Sequence, residues 1–285
     1  FNKFNCQDLQ SIFLSLSCNN LSQDNCQLLG NKIAACLNLE KLETDLSFNK
    51  IDKKGINQLF WALKKCSKLV QLLINLQDNE IQDQGTSQLG LALSNCANLE
   101  LLFINLVNNK IEDQGLKGLS DGIANCEKLE TLFLIIQQNN IGNLGASSLA
   151  SGLKQFKQLR KLTLVLSSNN IEDDGISNLG QGLSNCQNLY YLWFDIASNK
   201  IVGEGACNFI ENLRSLQNLR ILGFYFSYNQ ISELQMVAIS HLLKSYAKLS
   251  CLFLTLIKAS INRRKLIGRN LRKIKHLVTS KFQLY

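Results

Sequence analysis

The sequence predicts an α/β solenoid: a curved horseshoe of strand–turn–helix units, with a parallel β-sheet on its concave face and helices on its convex face. Three observations predict it. The first is a thirty-residue period, carried by Asn19, Asn49, Asn79, Asn109, Asn139, Asn169, Asn199 and Asn229 and failing only at Ala259. A fixed period of roughly 20–50 residues signals a repeat architecture. The second is the strict alternation before each asparagine, as in Leu162, Leu164 and Leu166 around Thr163 and Val165, which is a strand signal. The third follows the asparagine. Gly175, Leu179 and Leu183, like Gly85, Leu89 and Leu93, fall at i, i+4 and i+8, one face of a helix.

Each element has a physical reason. A single unit cannot bury both its strand face and its helix face, whereas stacked copies share one continuous core. Strands stack at about 4.8 Å and helices at about 8–10 Å, so the stack curves with the strands inside. The asparagine stands where the chain leaves the strand, and its amide, with two donors and an acceptor, is suited to backbone groups that the turn leaves unpaired. Asp83, Asp113 and Asp173, two residues before the glycine, are expected to cap the helix that follows. The recurrent glycine is read as a helix start.

These residues resemble the leucine-rich repeat family, whose signature is LxxLxLxxNxL. The NxIxDxG continuation into a helix looks like the ribonuclease-inhibitor-like subclass, and the long repeats look like those of protist proteins, some of which carry a kinase domain elsewhere. The resemblance covers about nine repeats, essentially the whole chain. One departure from the family pattern is an extra alternating apolar pair, L-x-x-L-x-L-x-L-x-x-N, read as a longer strand or a bulge.

Taken in order, repeat one has Asn25 in the glycine position, and repeat two has Thr44 at a core strand position. Repeats three to six are the most regular. Repeat seven replaces leucines with Phe194 and Phe209; repeat eight points Phe224 and Phe226 inward and has Gln235 in the glycine position. Repeat nine keeps Leu249, Leu252, Leu254 and Leu256 and loses both asparagine and glycine. The expected organisation is a solenoid over residues 1–262 and a basic amphipathic cap or tail over 263–285.

Strand residues between the core leucines face the concave surface. They make its middle unusually apolar, with Phe103, Phe133, Ile135, Val165, Tyr191, Trp193 and Tyr225, and Asp195 alongside. Exposed apolar patches of several hundred Å² mark interaction sites, and aromatic residues are the usual anchors of protein interfaces. The bland reading is a bulged strand with these residues partly buried.

The net charge of +8 belongs to the end of the chain. After Glu233 there is no acidic residue and there are eleven basic ones, which leaves −3 for residues 1–233. Leu266, Ile267, Leu271, Ile274 and Leu277 form an apolar face, with Arg263, Arg264, Lys265, Arg269, Arg272, Lys273 and Lys275 around it. The pattern suits a cap over the last core layer, or a basic helix for nucleic acid, an anionic membrane surface or a calmodulin-like protein.

Six of the ten cysteines (Cys6, Cys36, Cys66, Cys96, Cys126 and Cys186) share a column with Phe156, Leu216 and Tyr246. That column is a packing site. Parallel side chains are poor geometry for bridges, so a reducing, cytoplasmic compartment is expected. The N-terminus lacks the charged-then-apolar design of a secretory signal. It starts within the second half of a helix–strand unit, so the native chain is expected to continue upstream.

No G-x-S-x-G, H-E-x-x-H, G-x-x-x-x-G-K-[ST], H-R-D or C-x-x-C occurs, and neither cofactor nor metal is expected. The expected function is a non-catalytic scaffold that binds a protein on the concave face. Two alternatives stand beside it: a regulatory or recognition module of a kinase, a receptor or a protein similar to the GTPase-activating protein for Ran; and a binder of acidic partners through the tail.

Overall fold

The computed structural model describes residues 6–246, 248–256, 261–274 and 279–284. Leu277 and Lys275 of the expected tail lie outside the described residues. The chain divides into two compact units, Phe1–Asn140 and Ile141–Tyr285.

In the first unit, β1 (Ser11–Ser15), β2 (Lys41–Asp45), β3 (Gln71–Asn75), β4 (Leu101–Asn105) and β5 (Thr131–Ile135) pair in sequence order, all parallel. Between them run α1 (Gln23–Ala34), α2 (Lys53–Phe60), α3 (Gln82–Leu93) and α4 (Asp113–Ile123). The second unit begins with α5 (Asn143–Leu153). It continues through β6 (Lys161–Val165), α6 (Asp173–Leu183), β7 (Tyr191–Asp195), α7 (Glu204–Leu213), β8 (Ile221–Tyr225), α8 (Glu233–Leu242), β9 (Cys251–Leu256), α9 (Ile261–Leu271) and β10 (Thr279–Leu284). Strands β6 to β10 are again parallel and in order. This is the α/β solenoid that the period predicts.

From β1 to β5 and from β6 to β9, each residue sits opposite the one thirty positions on, as in Leu102↔Leu132 and Leu192↔Leu222. One-to-one pairing leaves no bulge. The extra apolar pair is accommodated by carrying the ladder past the five-residue strand, where the Leu106 N–H donates to Ile135 O at 2.7 Å. Leu102, Ile104 and Leu106 are fully buried against the helices, as are Leu192, Phe194 and Ile196. The phenylalanines of repeats seven and eight stack in the second core, with Phe194 and Phe209 centroids 4.5 Å apart and Phe224 5.2 Å from Phe209.

The asparagine column does what its chemistry suggests. Asn139 Oδ1 accepts from the N–H groups of Asn109 (3.1 Å) and Ile111 (2.9 Å), one repeat earlier. Its Nδ2 donates to the carbonyls of Leu106 (2.9 Å), Ile136 (3.1 Å) and Gln137 (3.1 Å). Asn199 repeats the pattern on Ile171, Leu166, Ile196 and Ala197. Both amides stitch their own turn to the preceding one.

The aspartates work differently from the expectation. The N-cap residues of α3, α4 and α6 are Ile81, Glu112 and Glu172, none with a side-chain cap bond, and Asp113 and Asp173 are the first residues of their own helices. Asp83 instead accepts from the Glu112 N–H (2.6 Å), and Asp173 from the N–H groups of Val202 (2.9 Å) and Gly203 (3.2 Å). Each satisfies the start of the next helix, not its own. The glycine follows from this close approach. A Cβ on Gly115 would stand 2.5 Å from Asp83 Oδ1 and 2.8 Å from its Cα. In repeats one and eight, which lack the glycine, the substitutes are capping-box partners: Asn25 with Ser22, and Gln235 with Ser232. Gln235 finds room because Gly203, at φ +125°, has no side chain there.

The stretch over 263–285, read as a basic amphipathic cap or tail, contains most of α9 followed by β10. Ile267, Leu271 and Ile274 are buried, whereas Leu266 is 42% exposed and leaves the apolar face. Asn270 Nδ2 donates to Ser240 Oγ at 2.9 Å, and Arg263 pairs with Glu233 at 2.9 Å, so α9 docks on α8. β10 pairs with β9 off the period, with Thr279 opposite Cys251.

Candidate functional site

The regular strands place the residues read as a binding face on the side of the sheet opposite the helices. Phe103 and Phe133 occupy the middle positions of β4 and β5, opposite each other in register, with ring centroids 6.0 Å apart. Ile135 ends β5. In the second unit, Val165 ends β6, Tyr191 begins β7, and Trp193, Asp195 and Tyr225 lie on β7 and β8. All eight are half-buried. The rings are not folded into the core, since each keeps part of its surface exposed.

The second unit holds the denser cluster. The Trp193 ring lies 4.8 Å from Tyr225 and 5.6 Å from Phe253, centroid to centroid. Asp195 Oδ1 accepts from the Ala197 N–H at 3.0 Å. Burial pushes its carboxyl above the ordinary carboxylate range, with the Ala197 amide and the neighbouring Ser167 hydroxyl pulling the other way. Tyr225 is raised by burial first, then by the charges of Asp195 and Tyr191.

The sequence reading left two features out of the site. Phe253 belongs to the same alternating column as Trp193, and that column was the available signal. In the first unit, a groove of about 350 Å³ is lined by Phe13, Glu43, Asp45, Leu73, Asn75 and Phe103. Its acidic rim is internally satisfied: Asp45 Oδ1 accepts from the Ser47 hydroxyl (2.7 Å) and Asn75 Nδ2 (3.0 Å), and Glu43 pairs with Lys41 at 3.2 Å.

Of the basic residues, Arg264, Lys265, Arg269, Arg272 and Lys273 point outward from α9 and the turn after it, while Arg263 is half-buried beside Glu233. Among the described residues no group of three or more His, Cys, Asp or Glu side chains is placed to hold a metal ion, and no helix is long and apolar enough to cross a membrane. Cys36, Cys66, Cys96, Cys126 and Cys186 of the column are buried, and none of these five forms a disulfide among the described residues. Burial pushes the thiols of Cys96, Cys126 and Cys186 up to about 12, and the Cys186 S–H donates to Leu153 O at 3.3 Å.

A family model described as Leucine Rich repeat matches residues 97–120 and 158–180. These stretches contain β4 with the start of α4, and β6 with the start of α6. No curated protein matches the chain. The two matches, with the same strand–asparagine–helix order in the neighbouring repeats, support a leucine-rich repeat protein. A solenoid of this kind suggests a protein–protein interaction module.

Proposed function

We propose that the chain is a non-catalytic interaction scaffold that holds a partner polypeptide against the helix-free face of its sheet, the face expected to be concave. The observation that carries this reading is the pair of half-exposed aromatic clusters, Phe103 with Phe133 in one unit and Trp193 with Tyr225 and Phe253 in the other. Large, stiff rings fixed on a hydrogen-bonded sheet lose little entropy on binding and supply the area that interface anchors need. The test is affinity capture with the intact chain and with a Phe133→Asp/Trp193→Asp variant, circular dichroism serving as the control for folding. Partner loss with an unchanged spectrum is the expected result; undiminished capture places the contact elsewhere.

A second reading follows from α9. Its buried Ile267 and Leu271, with Ile274 in the turn after it, support the cap reading, and the outward basic residues of the helix and turn leave a surface for an acidic partner, whether nucleic acid or an anionic membrane. Such binding would weaken steeply with salt. Ending the chain at Asn262 would uncover the core beneath α9, so reversing Arg264, Lys265, Arg269, Arg272 and Lys273 to glutamate is the cleaner test. For location we propose the cytoplasm, because the cysteine column serves as packing, with its thiols turned toward carbonyls. Titration of ten thiols under denaturing conditions is the expected result. A regulatory role inside a larger kinase- or receptor-linked protein, or one like a GTPase-activating protein, would use the same scaffold.

A further inference from the structure

Trp193 and Gly223 stand opposite each other in the β7–β8 register. A Cβ built on Gly223 would meet three contiguous indole atoms, Cε3 at 2.6 Å, Cδ2 at 2.9 Å and Cζ3 at 3.1 Å. A strand's Cβ stands out of the pleat, so a ring met by three atoms at these distances lies across β8 instead of standing up from β7. One indole face rests on the glycine backbone and the other is turned outward, flanked by Tyr225 and Phe253. The outward face is the negative end of the ring quadrupole, and indole is the best aromatic surface for a cation.

Asp195 is two residues along β7, on the same side of the sheet. One of its oxygens takes the Ala197 N–H. No described lysine, arginine or histidine forms an ion pair with it. Asp195 therefore combines a half-buried carboxylate, beside the Ala197 amide and the Ser167 hydroxyl and with no cation paired to it among the described residues, with a flat π-face beside it.

We propose that the outward face of Trp193 and the carboxylate of Asp195 together form a subsite for a guanidinium group, carried by an arginine of the partner polypeptide. This rests on the sheet-face reading above and names the chemistry of the anchor that the partner brings. A guanidinium is planar and stacks on the indole while its N–H fork reaches the carboxylate; an ammonium is a compact, strongly hydrated point charge that does one or the other. A bound cation also relieves the burial that disfavours the charged form of Asp195.

The chain has two tryptophans, Trp61 and Trp193, so a Trp61→Phe background makes Trp193 the sole indole reporter. The probes are a blocked Gly-Arg-Gly-Arg-Gly peptide, its lysine counterpart and its uncharged citrulline counterpart, followed by Trp193 fluorescence. The expected result is a saturable change with the arginine peptide, several-fold weaker binding of the lysine peptide and about tenfold weaker binding of the citrulline peptide. Asp195→Asn keeps an acceptor for the Ala197 amide and should fold normally while losing about tenfold in affinity for the arginine peptide. Equal responses to arginine and citrulline, equal responses to arginine and lysine, an unchanged Asp195→Asn, or no saturable response would each overturn the subsite. Partner capture that survives Asp195→Asn but is lost with the aromatic variant would overturn the guanidinium alone and leave the sheet-face reading intact.

Discussion

Replacing Asn139 with leucine removes the side chain that stitches its turn to the preceding one. Asn139 is 7% exposed and makes five bonds to backbone, two as acceptor and three as donor. Leucine leaves the N–H groups of Asn109 and Ile111 without that acceptor. Each orphaned buried group costs about 1–3 kcal/mol, the three carbonyls add a smaller share because each has a second lone pair, and the leucine recovers about 1–2 kcal/mol by its own burial. The expected net loss is about 3–5 kcal/mol, a large part of the roughly 5–15 kcal/mol that holds a typical domain together. The control is Asn19→Leu in the same column. Asn19 is exposed, and among the described residues its Nδ2 bonds only Ser17 O, at 2.8 Å, so its loss should stay near ~0.5–1 kcal/mol. Urea unfolding followed by circular dichroism at 222 nm reads both. Equal effects at the two positions would refute the reasoning, because the column would then matter for its composition and not for its bonds.

Thr44 sits at a core position with its Oγ1 unpartnered, 3% exposed, in a column otherwise filled by Leu14, Ile74 and Ile104; Thr44→Val should raise stability by about 1 kcal/mol, and an unchanged or lower urea midpoint would count against it. Gly115→Ala forces a methyl into Asp83 and should cost about 1–3 kcal/mol. Gly268→Ala, where a Cβ meets nothing within 4 Å, should gain up to ~1 kcal/mol; thermal melts of the pair should move in opposite directions. For Asp195, a folded pKa above the unfolded one means the native state binds more protons between the two values, so stability falls as pH rises through that interval. Asp195→Asn should therefore melt higher than the parent at pH 7, with the difference closing below about pH 4. A difference that widens toward low pH would reverse the sign and reject the argument.

The strand and helix frame was legible because register and period coincide: a column read in the sequence is a column in space. The role of the asparagines was legible for the same reason. The aspartate caps were misassigned because proximity in sequence suggested a local partner, whereas Asp83 and Asp173 reach amides twenty-nine residues on. The glycine's role was hidden with them, since its constraint comes from the preceding repeat. β10 was illegible because its pairing falls off the period and its segment carries neither asparagine nor glycine. Alternation alone found the aromatic face. It could not find the reclining Trp193, which depends on the bare backbone of Gly223 one strand away.

Hydroxyl-radical footprinting of the chain with and without its captured partner reads out which face the partner covers. Phe103, Phe133, Trp193 and Tyr225 report the sheet face, the exposed Leu91 and Leu144 report the helices, and Leu266 reports α9. Oxidation of the four aromatics is expected to fall several-fold on binding while Leu91, Leu144 and Leu266 react as before. Protection confined to Leu266, or to Leu91 and Leu144, with the aromatics unchanged, would contradict it.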